Sequence, residues 1–184
     1  MTATLQSQAP EYTFTDVQGE HVRLSDFWSL SPKGIVLVFL RHFGCMFCKD
    51  HVSQLRDSYD AFDKRGWNIV AVGQGTPARS AKFRDDNHLP FPVLGDMTLA
   101  SYDLYGLRRG ALSNFLNPGL YKAGMTSFLR GNMPGKPEGD ASQDPGTFLI
   151  DRSGRLLHSH IGKHSGDFPS ASAILRWIDA LPTA

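Results

Sequence analysis

Ile35-Val-Leu-Val-Phe-Leu-Arg-His-Phe-Gly-Cys-Met-Phe-Cys48 is the stretch that decides the fold. Its first six residues, Ile35 to Leu40, are apolar without alternation and rich in β-branched side chains, as a central strand buried between two layers requires. A helical period then takes over. Cys45, Cys48, Val52, Leu55, Tyr59 and Phe62 are spaced 3, 4, 3, 4 and 3, which makes one apolar stripe. Lys64 and Arg65 supply a basic last turn and Gly66 a stop. The segment predicts a strand, a tight turn and a helix.

Outward from it, the same alternation continues. Upstream, Tyr12, Phe14 and Val17, then Val22 and Leu24, flank Gly19-Glu20 and predict a small hairpin followed by a loop from Ser25 to Gly34. Downstream, Trp67–Val72 is a second β-branched strand, and Pro77 suits the first turn of a helix reaching about Asn87. Phe91–Leu94 is a short strand closed by Gly95-Asp96, and Leu99–Leu104 a short helix. Gly146–Asp151 and Leu156–Ile161 are an antiparallel pair around Arg152-Ser-Gly154. Ser170 caps a last helix with the stripe Ala173, Ile174, Trp177, Ile178 and Leu181. The order predicts one α/β domain over 1–184, a central mixed sheet flanked by helices.

A Gly/Pro-rich insertion at about 106–146 precedes the final hairpin, with 8 of the 18 glycines and 4 of the 11 prolines. Leu112, Phe115, Leu116, Leu120, Tyr121, Met125, Phe128 and Leu129 are too apolar for a solvated linker. Two helical turns flanking Asn117-Pro-Gly119 are expected, and a mobile stretch over 131–144. The apolar residues of 111–129 suit a homodimer surface as well as a lid.

Composition narrows the partners. Nineteen basic and 18 acidic residues leave a formal charge of +1, with no electrostatic footprint for nucleic acid or an anionic membrane. The longest apolar run is far short of the ~20 residues of a membrane span. The N-terminus, MTATLQSQAPEY, has neither a basic start nor an apolar core of a signal peptide, so the expected address is the cytoplasm. No G-x-G-x-x-G or G-x-x-x-x-G-K-[ST] motif is present, and no cofactor is expected.

The only two cysteines, Cys45 and Cys48, form one C-x-x-C. The first lies where a buried strand hands over to a helix N-terminus, whose unpaired N–H groups and dipole favour a thiolate. The second is one turn on, on the same face, placed to resolve an oxidised or mixed-disulfide intermediate. Gly44 leaves room for a substrate beside Cys45. Other readings compete. Half a zinc site would need two more ligands, with His42 and His51 available but no histidine pair at zinc-finger spacing, so no metal is expected. Covalent haem is excluded because residue 49 is Lys. The cysteines also suit a packed core pair. Arg41 would hold a thiolate or oxyanion near Cys45 unless strand alternation turns it away, and His42 is either an acid/base or a solvated turn residue. Met46 and Phe47 form an apolar rim; Arg108-Arg109, His160 and His164 are expected at the surface.

Phe39-Leu-Arg-His-Phe-Gly-Cys-Met-Phe-Cys48, together with Asp144-Pro-Gly-Thr-Phe-Leu-Ile-Asp-Arg-Ser-Gly154, resembles the thioredoxin fold, and within it the AhpC/TSA peroxiredoxin-like branch that begins F-L-R-x-x-G-C-x-x-C. The resemblance runs from about Tyr12 to Leu181. It implies a cysteine-based antioxidant that reduces hydrogen peroxide or alkyl hydroperoxides through Cys45, with Cys48 resolving and a thioredoxin- or glutathione-type reductant. A thiol-disulfide oxidoreductase acting on protein disulfides is the alternative, and a non-catalytic binding module a further one. The resemblance also implies that Pro145 is a cis-proline facing the cysteines. Three features depart from the pattern. Val38 and His42 occupy the Pro and Thr places of the peroxiredoxin P-x-x-x-[TS]-x-x-C motif, Met46 stands where many relatives have Pro, and no acid precedes the motif in Val36–Leu40.

Overall fold

A computed structural model describes residues 5–16, 18–107, 109 and 139–182. At its centre is β3 (Gly34–Phe39), all six residues of which are buried. It pairs in parallel with β4 (Trp67–Gly73) and antiparallel with β6 (Gly146–Asp151). β5 (Val93–Gly95) extends the sheet beyond β4 and β7 (Leu156–Ile161) beyond β6, giving the order β5-β4-β3-β6-β7. Alternation along β3 feeds two cores. Val36 and Val38 face α2 (Met46–Asp57), α3 (Tyr59–Asp63) and α6 (Ala171–Asp179), among Val52, Leu55, Phe62 and Ile174. Ile35, Leu37 and Phe39 face Phe14, Leu24, Trp28, Tyr102 and Tyr105. With both faces covered, period-two polarity has no reason to exist, hence the unbroken apolar run.

The hairpin forms as expected, β1 (Thr13–Thr15) against β2 (His21–Arg23), with Gly19 in the left-handed region at φ +88°. Ser25–Gly34 is not simply a loop: Leu24–Leu30 is helix α1, which buries Leu24 and Trp28 and is started by a reciprocal Arg23–Asp26 box. The stripe expected to run from Cys45 to Phe62 is one face of two helices, because the chain leaves helical geometry at Ser58, φ −107° and ψ 7°. α4 (Pro77–Asp86) begins at Pro77 with Thr76 accepting from Arg79 N–H, and α5 is Ala100–Leu104. Ser170 caps α6 by accepting from Ala173 N–H.

The turns expected around Asn117-Pro-Gly119 and the apolar residues of 111–129 lie outside the described residues, as do Arg108 and 131–138. The end of the stretch expected to be mobile is docked: Gln143 and Asp144 are buried. Among the described residues, no helix is long and apolar enough to cross a membrane.

Candidate redox site

The site is built on the end of β3. Leu40 N–H still donates to Val72 C=O at 2.8 Å, and the buried Tyr102 hydroxyl donates to Leu40 C=O at 2.6 Å. The chain then turns through Arg41–Gly44. Phe43 anchors this turn by packing its ring over Gly73 and Gly75, where a Cβ would come within 2.3 and 2.8 Å of ring carbons. Gly44 is buried within the turn. Cys45 is the N-cap of α2: its N–H donates to His42 C=O at 3.1 Å, and its C=O accepts from Lys49 N–H at 3.1 Å. Cys48 follows one turn later, fully buried. Both are free thiols.

The two thiols are driven apart electrostatically. A hydrogen bond from the Cys48 thiol lowers Cys45 to about 6, with the Arg41 charge adding to it and burial opposing both. Burial, then the hydrogen bond and charge of Cys45, push Cys48 well above its ordinary range. Cys48 Sγ also accepts Arg41 N–H at 3.3 Å. Cys45 is 4% exposed, so its charge is carried with little help from water. The arrangement supplies one thiolate and one retained proton, side by side.

Arg41 does not turn away, because β3 ends at Phe39 and strand alternation no longer governs residue 41. Its Nη1 lies 3.5 Å from Cys45 Sγ, Nε donates to Gln143 C=O at 3.1 Å and Nη2 donates to Ala141 C=O. His42 is buried, not a solvated turn residue. The cis-proline expectation is corrected: the Asp144–Pro145 peptide is trans. The chain enters β6 already extended, with Gly146 opposite Phe39 and Pro145 C=O accepting Gly162 N–H at 2.8 Å, so no bend is required there. Pro145 directly precedes Gly146, which pairs with Phe39 at the end of β3.

Of two further buried side chains at the site, Gln74 was not singled out from the sequence and His51 figured there only as a possible zinc ligand. Gln74, just beyond β4, binds the backbone of both Arg41 and Asp140. Its only local signal is its position between two glycines. His51, three residues after Cys48 on the buried side of α2, is 1% exposed, stacks on Phe168 at 4.5 Å and has no hydrogen-bond partner at either ring nitrogen. Burial, then repulsion from His160, lowers it to about 3. The 48, 51, 55 spacing was the available signal. His160 is part-buried and pairs with Asp167 at 3.2 Å, and Arg109 reaches Asp140 at 3.5 Å.

The AhpC/TSA family model matches residues 5–159. Peroxiredoxin Bcp of Bacillus subtilis is 25% identical over 160 residues, covering 85% of this chain and 84% of its own. Thiol-disulfide oxidoreductase ResA of Geobacillus kaustophilus is 36% identical over 93 residues, 49% of this chain and 50% of its own. The chain spans only 46% to 63% of the length of other curated relatives that it matches. The crystal structure of peroxidoxin BcpB from Mycobacterium tuberculosis superposes with a TM-score of 0.71 at 18% identity, covering 97% of this chain and 98% of that one, which shows the shared thioredoxin fold. By this match over residues 5–159, most of its length, the chain belongs to the AhpC/TSA family.

Proposed function

We propose that the protein is a thiol-dependent oxidoreductase that reduces hydroperoxides, with Cys45 as the attacking group and Cys48 as the resolving one. The observation that carries this reading is the pairing of a buried Cys45, held towards the thiolate, with a protonated Cys48 and the Arg41 guanidinium. Cys45 S⁻ attacks the terminal peroxide oxygen, the O–O bond breaks, and the alkoxide or hydroxide leaves as alcohol or water after taking a proton. Arg41 stabilises the charge that moves from sulfur to the leaving oxygen, in place of the Thr hydroxyl that this chain lacks. The Cys48 sulfur then attacks the Cys45 sulfenic acid. The S–S bond forms, and the hydroxyl departs as water with the Cys48 proton. A thioredoxin-type dithiol, or two glutathione-type thiols in turn, returns two electrons: the first thiol forms a mixed disulfide and the second resolves it, leaving the reductant as a disulfide and both protein cysteines reduced.

The near-complete burial of Cys45 favours a small oxidant over the disulfide of a folded protein. Exchange with protein disulfides is the second reading, favoured by the C-x-x-C itself and by the ResA match. Two free thiols suit a reducing compartment such as the cytoplasm. A homodimer through the apolar residues of 111–129 belongs to the same proposal, and a single monomeric species in gel filtration across a wide concentration range would remove it.

Stopped-flow oxidation of the reduced protein by hydrogen peroxide and cumene hydroperoxide tests the main reading. The expected rate exceeds that of free cysteine at the same pH by at least about tenfold, ~1.4 kcal/mol of barrier. That excess disappears in Cys45→Ser. A rate equal to that of a free thiol, with rapid reduction of a model disulfide, moves the function to disulfide exchange.

A further inference from the structure

We propose that Gln74 is a positioning residue for the Cys45 thiolate. Its carboxamide fastens the 139–143 backbone beside the cysteine turn, so that the Ala141 and Gln143 carbonyls hold the Arg41 guanidinium against Cys45 Sγ. The inference rests on the reading of Cys45 as the attacking thiolate and names what makes that thiolate's cation stay in place.

Gln74 is 4% exposed and sits between Gly73 and Gly75, the residues that seat Phe43 of the cysteine turn. Every polar atom of its carboxamide is used. Nε2 donates to Arg41 C=O and, at 2.8 Å, to Asp140 C=O, while Oε1 accepts Asp140 N–H at 2.6 Å. The two bonds to Asp140 are a strand-like amide pair made by a side chain, and the third ties the same amide to the residue whose guanidinium must be aimed. The approach is close enough to dictate its neighbour: Gly139 has φ +82°, and a Cβ there would lie 2.2 Å from Gln74 Oε1.

Beyond the clamp, the Asp140 carboxylate accepts from Ser142 N–H at 2.8 Å and Ser142 Oγ at 2.5 Å, folding the chain so that the carbonyls of Ala141 and Gln143 point at Arg41. An arginine on a turn has many rotamers, most of which lead its charge towards water. Two carbonyls fix its plane and leave Nη1 for the sulfur. The other charged groups near this assembly are Asp140, paired with Arg109, and Asp144, both of which feel Arg41. Cys45 itself faces Cys48 and Arg41. The Gln74 carboxamide bonds to backbone and acts on the sulfur through Arg41.

The test is the pH dependence of iodoacetamide alkylation at Cys45 in the reduced full-length protein, with each cysteine's labelling assigned by peptide mass spectrometry. Arg41→Met is expected to raise the Cys45 midpoint by about one pH unit, the loss of a neighbouring cation. Gln74→Ala is expected to raise it by roughly half of that or more, and the double variant to match Arg41→Met alone. Gln74→Met keeps the length of the side chain, removes both donated bonds and adds no charge, so it gives a second variant with the same direction of shift. Gly139→Ala presses on the clamp from the other side and shifts the midpoint the same way. An unchanged midpoint in Gln74→Ala and Gln74→Met while Arg41→Met shifts it overturns the positioning role and leaves the Cys45 reading intact. So does a Gln74 effect that adds in full to that of Arg41→Met. A midpoint that Arg41→Met does not move, at the value of an ordinary thiol, overturns both.

Discussion

The two ends of the first turn of α2 are equally buried and chemically opposite. At the N-terminal end, Cys45 sits against a guanidinium, a thiol donor and the start of a helix, and its charged form is favoured. At the other end, Cys48 and His51 face packed apolar side chains, and each is held in its neutral form, the thiol protonated and the imidazole deprotonated. A low dielectric magnifies whatever partner is present and penalises charge where there is none. Burial alone therefore predicts nothing about reactivity here. The partner decides, and the turn separates attack from proton storage within a few ångströms.

The largest expected effect exchanges the two ends. Cys45→Ser removes all peroxide-dependent turnover, whereas Cys48→Ser retains one turnover and stops with a sulfenic acid that a dimedone probe captures on Cys45. Mass spectrometry of the oxidised variants decides it. A sulfenic acid found on Cys48 in Cys45→Ser, formed at the wild-type rate, would break the asymmetry.

The neutral end has its own signature, in stability. His51 is lowered to about 3 in the folded chain from an ordinary 6.5. The unfolded state thus binds the extra proton first, and the stability given by a neutral His51 is complete above about pH 6.5 and lost progressively as pH falls towards 3. Between pH 7 and pH 4.5 that loss is about 2–3 kcal/mol in urea unfolding. His51→Leu removes this part of the acid sensitivity, and at pH 7 it costs little because both ring nitrogens are already without partners. Equal acid losses in the two proteins would mean that the imidazole is hydrated in the folded state.

What the sequence made legible divides along similar lines. β3, the N-cap cysteine, the β6–β7 pair and the Ser170 cap are local patterns, the longest of them running from Gly146 to Ile161, and each formed where expected. Helix α1 was missed because seven residues make barely two turns, too few for Leu24, Phe27 and Trp28 to establish a period. The Ser58 break was invisible because the apolar stripe continues across it. The rest of the site joins distant chain: Arg41 meets Gln143 across 102 residues and Gln74 meets Asp140 across 66. No period announces such contacts, and a Gly/Pro-rich composition pointed to mobility where backbone carbonyls are instead bound. Glycines at 73, 75 and 139 mark close approaches, but which side chain fills each one is tertiary information.

A smaller effect separates hydrogen bonding from proximity within the pair. The thiol of Cys48 is the foremost cause of the low Cys45 value. A hydrogen bond to a charged group contributes about 1.5–3 kcal/mol, so Cys48→Ala raises the Cys45 alkylation midpoint by about 1–2 pH units. Cys48→Ser keeps a donor in place and shifts it by less than about half a unit. If the two variants shift the midpoint equally, packing rather than donation sets the value.

The smallest expected effect concerns a second arginine on the same segment. Arg109 reaches Asp140 at 3.5 Å, and its residues pair with Gln143 through an isolated backbone bridge, yet its side chain is 59% exposed. Its charge is neutralised by Asp140 and screened by water, as exposed pairs are. The Asp140 turn does not need it, because Ser142 and Gln74 hold the carboxylate and the backbone independently. Arg109→Ala keeps the backbone bridge and is expected to move the Cys45 midpoint by less than about 0.2 pH units, against about one for Arg41→Met. The comparison is sharpest at low salt, where screening is weakest. A shift there as large as that of Arg41→Met would mean that the net positive charge of the 107–143 region, rather than the single buried guanidinium, holds the thiolate.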